Sequence, residues 1–433
     1  MTTAIERYLN SLPEDILTIN ISSKNIKSLP NLTRFKNLQV LNCSHNQLTS
    51  LTLPQNLQEL YCYHNELTSL PTLPQNLKIV YCYNNKLTYL PTLPQILTDL
   101  SCSSNKLTSL PTLPQNLEDL CCSNNELTLL PTLPQNLEIL ECYENQLTFL
   151  PTLPQNLEEL DCYGNQLISL PTLPQNLTEL NCSYNQLISL TLPQNLESLN
   201  CSNNQLTSLT LPQNLESLNC SHNQLTSLTL PQNLEIVHCY NNKLTSLTLP
   251  QNLKYLSCYH NQLTSLTLPQ NLKYLYCYHN QLTSLTLPQN LESLSCYHNK
   301  LTSLTLPQNL KSLNCSYNKL TSLTLQQNLK YLSCSYNKLT SLTLPQNLRE
   351  LDYYNNPIYE IVNNDSLIKI KQNIQTLNNF RHLYYSLKFK KQLRKWLWEK
   401  VREKHIIDKY HPKYLLENLD ENTDLDEFLN NWK

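Results

Sequence analysis

The sequence predicts a solenoid of short stacked repeats that share one long parallel β-sheet, and three observations support this fold class. A unit of 19 or 20 residues recurs through most of the 433-residue chain. Apolar and polar residues alternate over L-x-L-x-C in each copy, which is the period of a half-buried strand. The chain has one glycine, Gly164, so glycine-rich phosphate loops and dinucleotide-binding fingerprints are excluded.

The elements follow in order along the chain. Residues 1–15 are predicted to form a short N-terminal cap, residues 16–358 a solenoid of about 18 repeats, and residues 359–433 a helical C-terminal cap or tail. The first copy carries Lys24 in place of an asparagine, and the last carries Tyr353 in place of a cysteine. Atypical end copies are typical of a capped stack.

Each repeat is predicted to contribute one strand and one return segment. All copies run in the same direction, so neighbouring strands must pair in parallel, about 4.8 Å apart. The Leu-Thr-Leu-Pro return is too short and too rich in proline for a helix, and it favours extended or polyproline II backbone.

The consensus sequence of the repeat resembles that of leucine-rich repeats. L-P-x-L-P-x-x-L-x-x-L, as at Leu70–Val80, is similar to the short repeats of bacterial effector proteins. The resemblance covers residues 16 to about 358 and implies a parallel sheet on the concave face with extended segments on the convex side.

A second resemblance involves the cysteine-containing L-x-C-x-x-N repeats and the tail. The segments Phe380–Tyr385, Leu393–Glu403 and Lys409–Leu415 resemble the tails of uncharacterised leucine-rich-repeat proteins of giant amoeba-infecting, mimivirus-like DNA viruses. This resemblance implies a viral protein made in host cytoplasm.

Sixteen of the seventeen cysteines, from Cys43 to Cys334, recur once per repeat on the inward side. We interpret them as small buried packing residues, and a metal or redox ladder is the alternative. Cys121 alone takes an outward position, where nearby carboxylates predict a raised pKa and poor nucleophilicity. The start has no run of signal-peptide length, and no stretch approaches 18 apolar residues, so we expect an intracellular, soluble protein that is not secreted.

One asparagine per repeat is predicted to be structural, because a primary amide both donates and accepts hydrogen bonds at the turn after each strand. This asparagine column comprises Asn46, Asn65, Asn85, Asn105, Asn125, Asn145, Asn165, Asn185, Asn204, Asn223, Asn242, Asn261, Asn280, Asn299, Asn318, Asn337 and Asn356.

Four positions per repeat are predicted to face solvent on the concave sheet: those before the second leucine, on either side of the cysteine, and before the asparagine. From Val40 to Asn355 they hold ten carboxylates and no lysine or arginine. Phosphate binding requires basic side chains, so this face predicts a protein partner with a basic or polar surface and excludes nucleic acid there.

The same positions are rich in tyrosine, which interfaces favour. Inheritance of shared tyrosines by near-identical duplicated repeats is the alternative. The candidate binding residues are Tyr61, Tyr63, Tyr81, Tyr83, Asp99, Asp119, Glu141, Tyr143, Glu159, Asp161, Tyr163, Glu179, Tyr259, Tyr278 and Tyr297.

Other chemistry is less favoured by the sequence. His260, His279 and His298 share one column, but zinc requires three or four converging ligands and a flat ladder offers two at a time. Some bacterial effector proteins with similar repeats carry a C-terminal ubiquitin-ligase domain with a nucleophilic cysteine, whereas residues 359–433 contain no cysteine. We therefore predict no metal, no cofactor and no catalytic residues; the enzyme and the metal-binding protein remain as alternatives.

The tail differs from the repeats in pattern and charge. Apolar residues from Leu367 to Leu387 recur at helical spacing after possible caps at Asp365 or Ser366, and a second helix is predicted over about 389–408. Residues 366–413 carry thirteen basic and three acidic residues. The tail is predicted to seal the solenoid, and its alternatives are a docking module, a basic surface for nucleic acid or anionic membrane, and a segment that blocks the acidic face.

Overall fold

The computed structural model describes residues 4–29, 31–363, 366–388, 390 and 392. A helix, α1 (Ala4–Ser11), precedes eighteen three-residue strands. The strands are β1 Thr18–Asn20, β2 Val40–Asn42, β3 Glu59–Tyr61, β4 Ile79–Tyr81, β5 Asp99–Ser101, β6 Asp119–Cys121, β7 Ile139–Glu141, β8 Glu159–Asp161, β9 Glu179–Asn181, β10 Ser198–Asn200, β11 Ser217–Asn219, β12 Ile236–His238, β13 Tyr255–Ser257, β14 Tyr274–Tyr276, β15 Ser293–Ser295, β16 Ser312–Asn314, β17 Tyr331–Ser333 and β18 Glu350–Asp352.

The strands form one sheet in which each strand pairs in parallel with its neighbours in chain order. The register repeats without a shift; for example, Leu218 of β11 lies opposite Val237 of β12, and Ser217 lies opposite Ile236. In most strands the middle residue is buried and the outer two are half-buried or exposed; the exceptions are Ser257 of β13, which is buried, and Leu351 of β18, which is half-buried. The predicted fold class, a leucine-rich-repeat solenoid with a parallel sheet, is confirmed.

The interior of the solenoid is a stack of leucines and cysteines. All sixteen repeat cysteines, from Cys43 to Cys334, are free thiols with no exposed surface. Burial raises the pKa of these thiols, as at Cys82 and Cys201, where it reaches about 12. Tyr353, which replaces the cysteine in the last copy, is also buried. The thiols occupy the packing position that the alternation of the strand predicts.

The residue before each column asparagine has left-handed backbone in every copy. Its φ lies between 49° and 54° at the non-glycine residues, such as Ser104, His222 and Tyr336, and is 66° at Gly164. Asparagine, histidine, serine and glycine fill this position in most repeats, and asparagine, histidine and glycine are among the residues best tolerated in this conformation. The left-handed turn that ends each strand therefore restricts which residues occur at this position.

A second compact unit comprises residues 340–344 and 357–433. Its longer segment begins at residue 357, two residues before the predicted boundary at 359, and residues 340–344 belong to the last repeats. Within its described residues it contains α2 (Tyr359–Val362) and α3 (Leu367–Lys388). Asn378 and Arg381 of α3 donate hydrogen bonds to the carbonyls of Leu342 and Thr340, at 2.8 and 2.7 Å.

Helix α3 begins directly after Ser366, one of the two predicted caps; Asp365 lies outside the described residues. Its apolar stripe differs from the expectation, because Ile370 and Ile374 are buried whereas Phe380, Leu383, Tyr384 and Leu387 are exposed. Helical spacing places these side chains on one face but does not determine what covers them. The predicted second helix lies outside the described residues, apart from residues 390 and 392.

None of the described helices combines the length and the apolar character that a membrane crossing requires.

Candidate functional site

The outward surface of the strands, here called the sheet face, consists of four positions per repeat. The first and second are the outer residues of the strand, the third follows the cysteine, and the fourth is the left-handed residue. Serines at the third position, such as Ser123 and Ser221, are buried. The third position is therefore accessible to a partner only where its side chain is larger than serine. The sequence analysis treated all four positions alike as facing solvent.

Seven carboxylates gather on the sheet face between β5 and β9 and are here called the acidic patch. It comprises Asp99, Asp119, Glu141, Glu144, Glu159, Asp161 and Glu179. Strand register makes most of them direct neighbours: Asp99 lies opposite Asp119, Glu141 opposite Asp161, and Glu159 opposite Glu179. Within each of these three pairs, like charges on adjacent parallel strands lie about 4.8 Å apart.

The carboxylates of the acidic patch repel one another, and this repulsion disfavours their charged forms. Burial, followed by repulsion from Asp99, Glu141 and Glu159, raises the pKa of Asp119 to about 6. The pKa of Glu159 is raised by partial burial and by Glu179. No ion pair in the described part of the chain includes a patch carboxylate. A cation brought to this surface would therefore relieve repulsion between the carboxylates.

Hydrogen bonds orient several of these carboxylates. The Cys121 thiol donates to Glu141 Oε2 at 2.7 Å, and the Tyr163 hydroxyl donates to Glu144 Oε1 at 2.5 Å. The pKa of Cys121 is raised to about 11, chiefly by burial and then by the bond to Glu141. The direction is the one predicted, although burial, which the sequence does not show, contributes more than the neighbouring charge. A neutral thiol is a poor nucleophile.

The tyrosines at the third position form stacks of parallel rings. Tyr63 and Tyr83 stack with centroids 4.5 Å apart, and Tyr143 and Tyr163 with centroids 5.4 Å apart. A longer stack lies just beyond β12–β15 and consists of Tyr240, Tyr259, Tyr278 and Tyr297, with centroids 4.2–4.3 Å apart. Each ring covers part of its neighbour, which holds the ring in one orientation and leaves its edge as contact surface.

A second stack runs beside it at the fourth position. His260, His279 and His298 stack at 4.2–4.3 Å, and Tyr317 and Tyr336 continue the same ladder at 4.1 Å. Burial and the two flanking imidazoles lower the pKa of His279. Across the residues that the structure describes, no group of three or more His, Cys, Asp or Glu side chains could hold a metal ion.

The asparagine column lies under the left-handed turns. In a representative repeat, Asn223 Nδ2 donates to the carbonyls of Cys201 and Cys220 at 3.0 and 3.2 Å. Its Oδ1 accepts the N–H of Leu206 at 2.9 Å. One side chain thus bridges its own repeat and the preceding one, and the same pattern recurs from Asn65 to Asn356.

The predicted binding residues occupy one face but form three groups. Tyr61, Tyr63, Tyr81 and Tyr83 lie on and just beyond β3 and β4; the acidic patch with Tyr143 and Tyr163 spans β5–β9; and Tyr259, Tyr278 and Tyr297 follow β13–β15. From β3 to β15 there are twelve strand steps, or about 58 Å. The groups therefore suit one extended partner or more than one partner, and not a small ligand.

The sequence interpretation missed the left-handed fourth position. It treated this position only as one of the four that face solvent on the concave sheet. The recurrent choice of asparagine, histidine and serine, with the one glycine of the chain in the same column, was the available signal.

Comparisons with known proteins agree with the repeat pattern. The Leucine Rich Repeat family model matches residues 37–55 and 195–213. Comparison with curated proteins gave no match.

The solved structure of YopM from Yersinia enterocolitica WA-314 is 38% identical, with 82% of this chain and 81% of that chain covered and a TM-score of 0.79. YopM from Yersinia pestis, a leucine-rich effector protein, is 33% identical over 78% of this chain and 88% of that chain, with a TM-score of 0.53. The functional domain of InlJ from Listeria monocytogenes, which includes a cysteine ladder, is 26% identical over 76% of this chain and 69% of that chain, with a TM-score of 0.52. The chain therefore belongs to the leucine-rich-repeat family, with short repeats of the YopM type.

Proposed function

We propose that the protein is a non-catalytic scaffold that binds a protein with a basic surface through the acidic patch and the adjoining tyrosines of the sheet face. The observation that carries this proposal is the clustering of seven carboxylates on β5–β9 of a face that holds no lysine or arginine. Family membership supports the general role, because leucine-rich-repeat solenoids use extended sheet surfaces for binding.

The geometry of the patch favours a folded basic partner over a bound ion. The carboxylates are spread over four strand steps, or about 19 Å, and hydrogen bonds from Cys121 and Tyr163 fix the side chains of Glu141 and Glu144. Tyr143 and Tyr163 stand within the patch and add contact area with little rotamer entropy to lose. Lysine and arginine side chains of a partner would both pair with the carboxylates and relieve their mutual repulsion.

The test is affinity capture from a cell lysate with the purified chain and with a charge-reversed variant. The variant carries Asp119→Lys, Glu141→Lys, Glu159→Lys and Asp161→Lys. We expect it to lose the basic proteins that the unchanged chain retains. A neutral set, Asp119→Asn, Glu141→Gln, Glu159→Gln and Asp161→Asn, should give a partial loss without placing lysines at half-buried sites.

A matched control separates the site from the net charge. Glu118→Lys, Glu138→Lys, Glu158→Lys and Glu197→Lys add the same charge to overlapping repeats, but at exposed positions beside the strands. This variant should retain the partners. Equal loss in both charge-reversed variants would show a non-specific charge effect, and unchanged capture by the patch variant would move the binding site elsewhere.

The place of action is also part of the proposal. A host cytoplasm suits a chain similar to a bacterial effector protein, and it was also implied by the resemblance to giant-virus proteins. The viral origin is inferred from the consensus sequence of the repeats and from three tail segments. Two of these segments lie outside the described residues. Detection of the protein in infected host cells by a specific antibody would test it.

A further inference from the structure

We propose that two copies of this chain associate antiparallel through a self-complementary row of charged side chains. The row runs along the side of the sheet where the strands begin, here called the edge. The row is formed by the residue that precedes each strand from β6 to β18. Its members in order are Glu118, Glu138, Glu158, Thr178, Glu197, Glu216, Glu235, Lys254, Lys273, Glu292, Lys311, Lys330 and Arg349. The inference concerns this edge and does not depend on the function proposed for the sheet face.

The row is physically continuous. The backbone N–H of each member donates to the carbonyl of the preceding member at 2.8–2.9 Å, from Glu138 on Glu118 to Arg349 on Lys330. Successive side chains are therefore one strand spacing apart, about 4.8 Å. Most of the members are exposed, and the others are half-buried.

The charge along the row changes sign once. The seven positions from Glu118 to Glu235 hold six glutamates and Thr178, and the six from Lys254 to Arg349 hold five bases and Glu292. The surrounding solenoid follows the same division, because residues 99–235 contain fourteen acidic residues and one lysine, whereas residues 243–349 contain nine basic residues and one acidic residue. Each end of the row is thus the electrostatic complement of the other end.

A two-fold axis through Glu235 brings the row into register with a second copy of itself. It pairs Glu216 with Lys254, Glu197 with Lys273, Glu158 with Lys311, Glu138 with Lys330, and Glu118 with Arg349. An isologous interface repeats each contact, so the dimer has ten acid–base pairs. In these pairs Lys254 and Lys311 are shared with Glu235 and Glu292 of their own chain.

The exceptions also fit this register. Glu292, the one acid in the basic half, faces Thr178, the one neutral member of the acidic half. Glu235 lies on the axis and would meet its own copy. It is already paired with Lys254 of its own chain at 2.6 Å, which reduces the repulsion. A shift of the axis by half a repeat would instead place Glu197 against Glu292.

The association should be weak and sensitive to salt. Exposed ion pairs contribute little individually and are screened at high ionic strength. We therefore expect the intact chain at about 100 µM to sediment as a reversible dimer in about 50 mM salt and as a monomer in about 0.5 M salt. A monomer at both salt concentrations would overturn the proposal, as would a dimer that salt does not affect.

Two complementary variants test the register. One carries Glu138→Lys, Glu158→Lys and Glu197→Lys; the other carries Lys330→Glu, Lys311→Glu and Lys273→Glu. Each variant alone should dimerise about a hundredfold more weakly than the unchanged chain, because six pairs become repulsive. An equimolar mixture should restore a heterodimer, since every reversed pair then meets its reversed partner. Failure of the mixture to associate would overturn the antiparallel register.

The matched control reverses three lysines at the opposite end of the strands. Lys300→Glu, Lys319→Glu and Lys338→Glu change the charge equally in neighbouring repeats, at exposed residues outside the row. The dimer should survive these changes, and it should also survive the charge reversal of the acidic patch. Dissociation in either control would show that overall charge, or the sheet face, holds the copies together. Circular dichroism of each variant checks that the solenoid is folded.

Discussion

At the scale of the residue, two columns define the turn that ends each strand. The fourth position takes left-handed backbone, which costs roughly 1–2 kcal/mol for most L-residues. The following asparagine holds the turn with hydrogen bonds to its own repeat and to the preceding one. At Gly164 the conformation carries little cost, but an added Cβ would lie 3.2 Å from the Glu144 carboxyl group.

The first prediction concerns this asparagine. Asn223→Ala removes the acceptor of the Leu206 N–H and the donor to two cysteine carbonyls, all of which are buried. We expect a loss of about 1–3 kcal/mol in the free energy of unfolding, measured by urea denaturation. The exposed Asn214, changed to alanine in the same repeat, should cost much less. Equal stability of the two variants would contradict the role given to the column.

At the scale of the element, strands β5–β9 show what the sequence can and cannot reveal. Alternation in L-x-L-x-C predicted which side chains point outward, because the strand period is fixed by backbone geometry. It did not predict how deeply each one is covered by its neighbours. Asp119 and Asp161 are half-buried, while Glu159 and Glu179 are exposed, although all four occupy outward strand positions.

The second prediction follows from this partial burial. The folded-state pKa of Asp119, about 6, lies above its ordinary value, so folding favours the neutral acid. Its contribution to stability is fully present below the ordinary pKa and is lost as the pH rises through about 6. Asp119→Asn should therefore raise the melting temperature at pH 7 more than at pH 4.

The same experiment on the exposed Glu216→Gln, which lies beside β11, provides the control. That substitution should change the melting temperature little at either pH. If Asp119→Asn were equally neutral at both pH values, the carboxylate would not be held in the strained environment described here.

At the scale of the whole molecule, the fold could be predicted because every repeat contacts chiefly its neighbours. The structure inferred for one repeat therefore applies to the others. The inward cysteines and the terminal copies were predicted for that reason. The alternation did not reveal the charged row, because the members of the row precede the strands and lie outside the alternating segment. The left-handed column and the grouping of tyrosines into stacks required coordinates.

The central claim is that the acidic patch is the surface that a basic partner covers. Carboxylate labelling by a carbodiimide and an amine, followed by mass spectrometry, tests it most directly when the chain is compared with and without its captured partner. Our account predicts protection of Asp99, Glu141, Glu159 and Glu179, and unchanged labelling of Glu197 and Glu216 at the edge. Protection of the edge residues with unchanged labelling of the patch would contradict it.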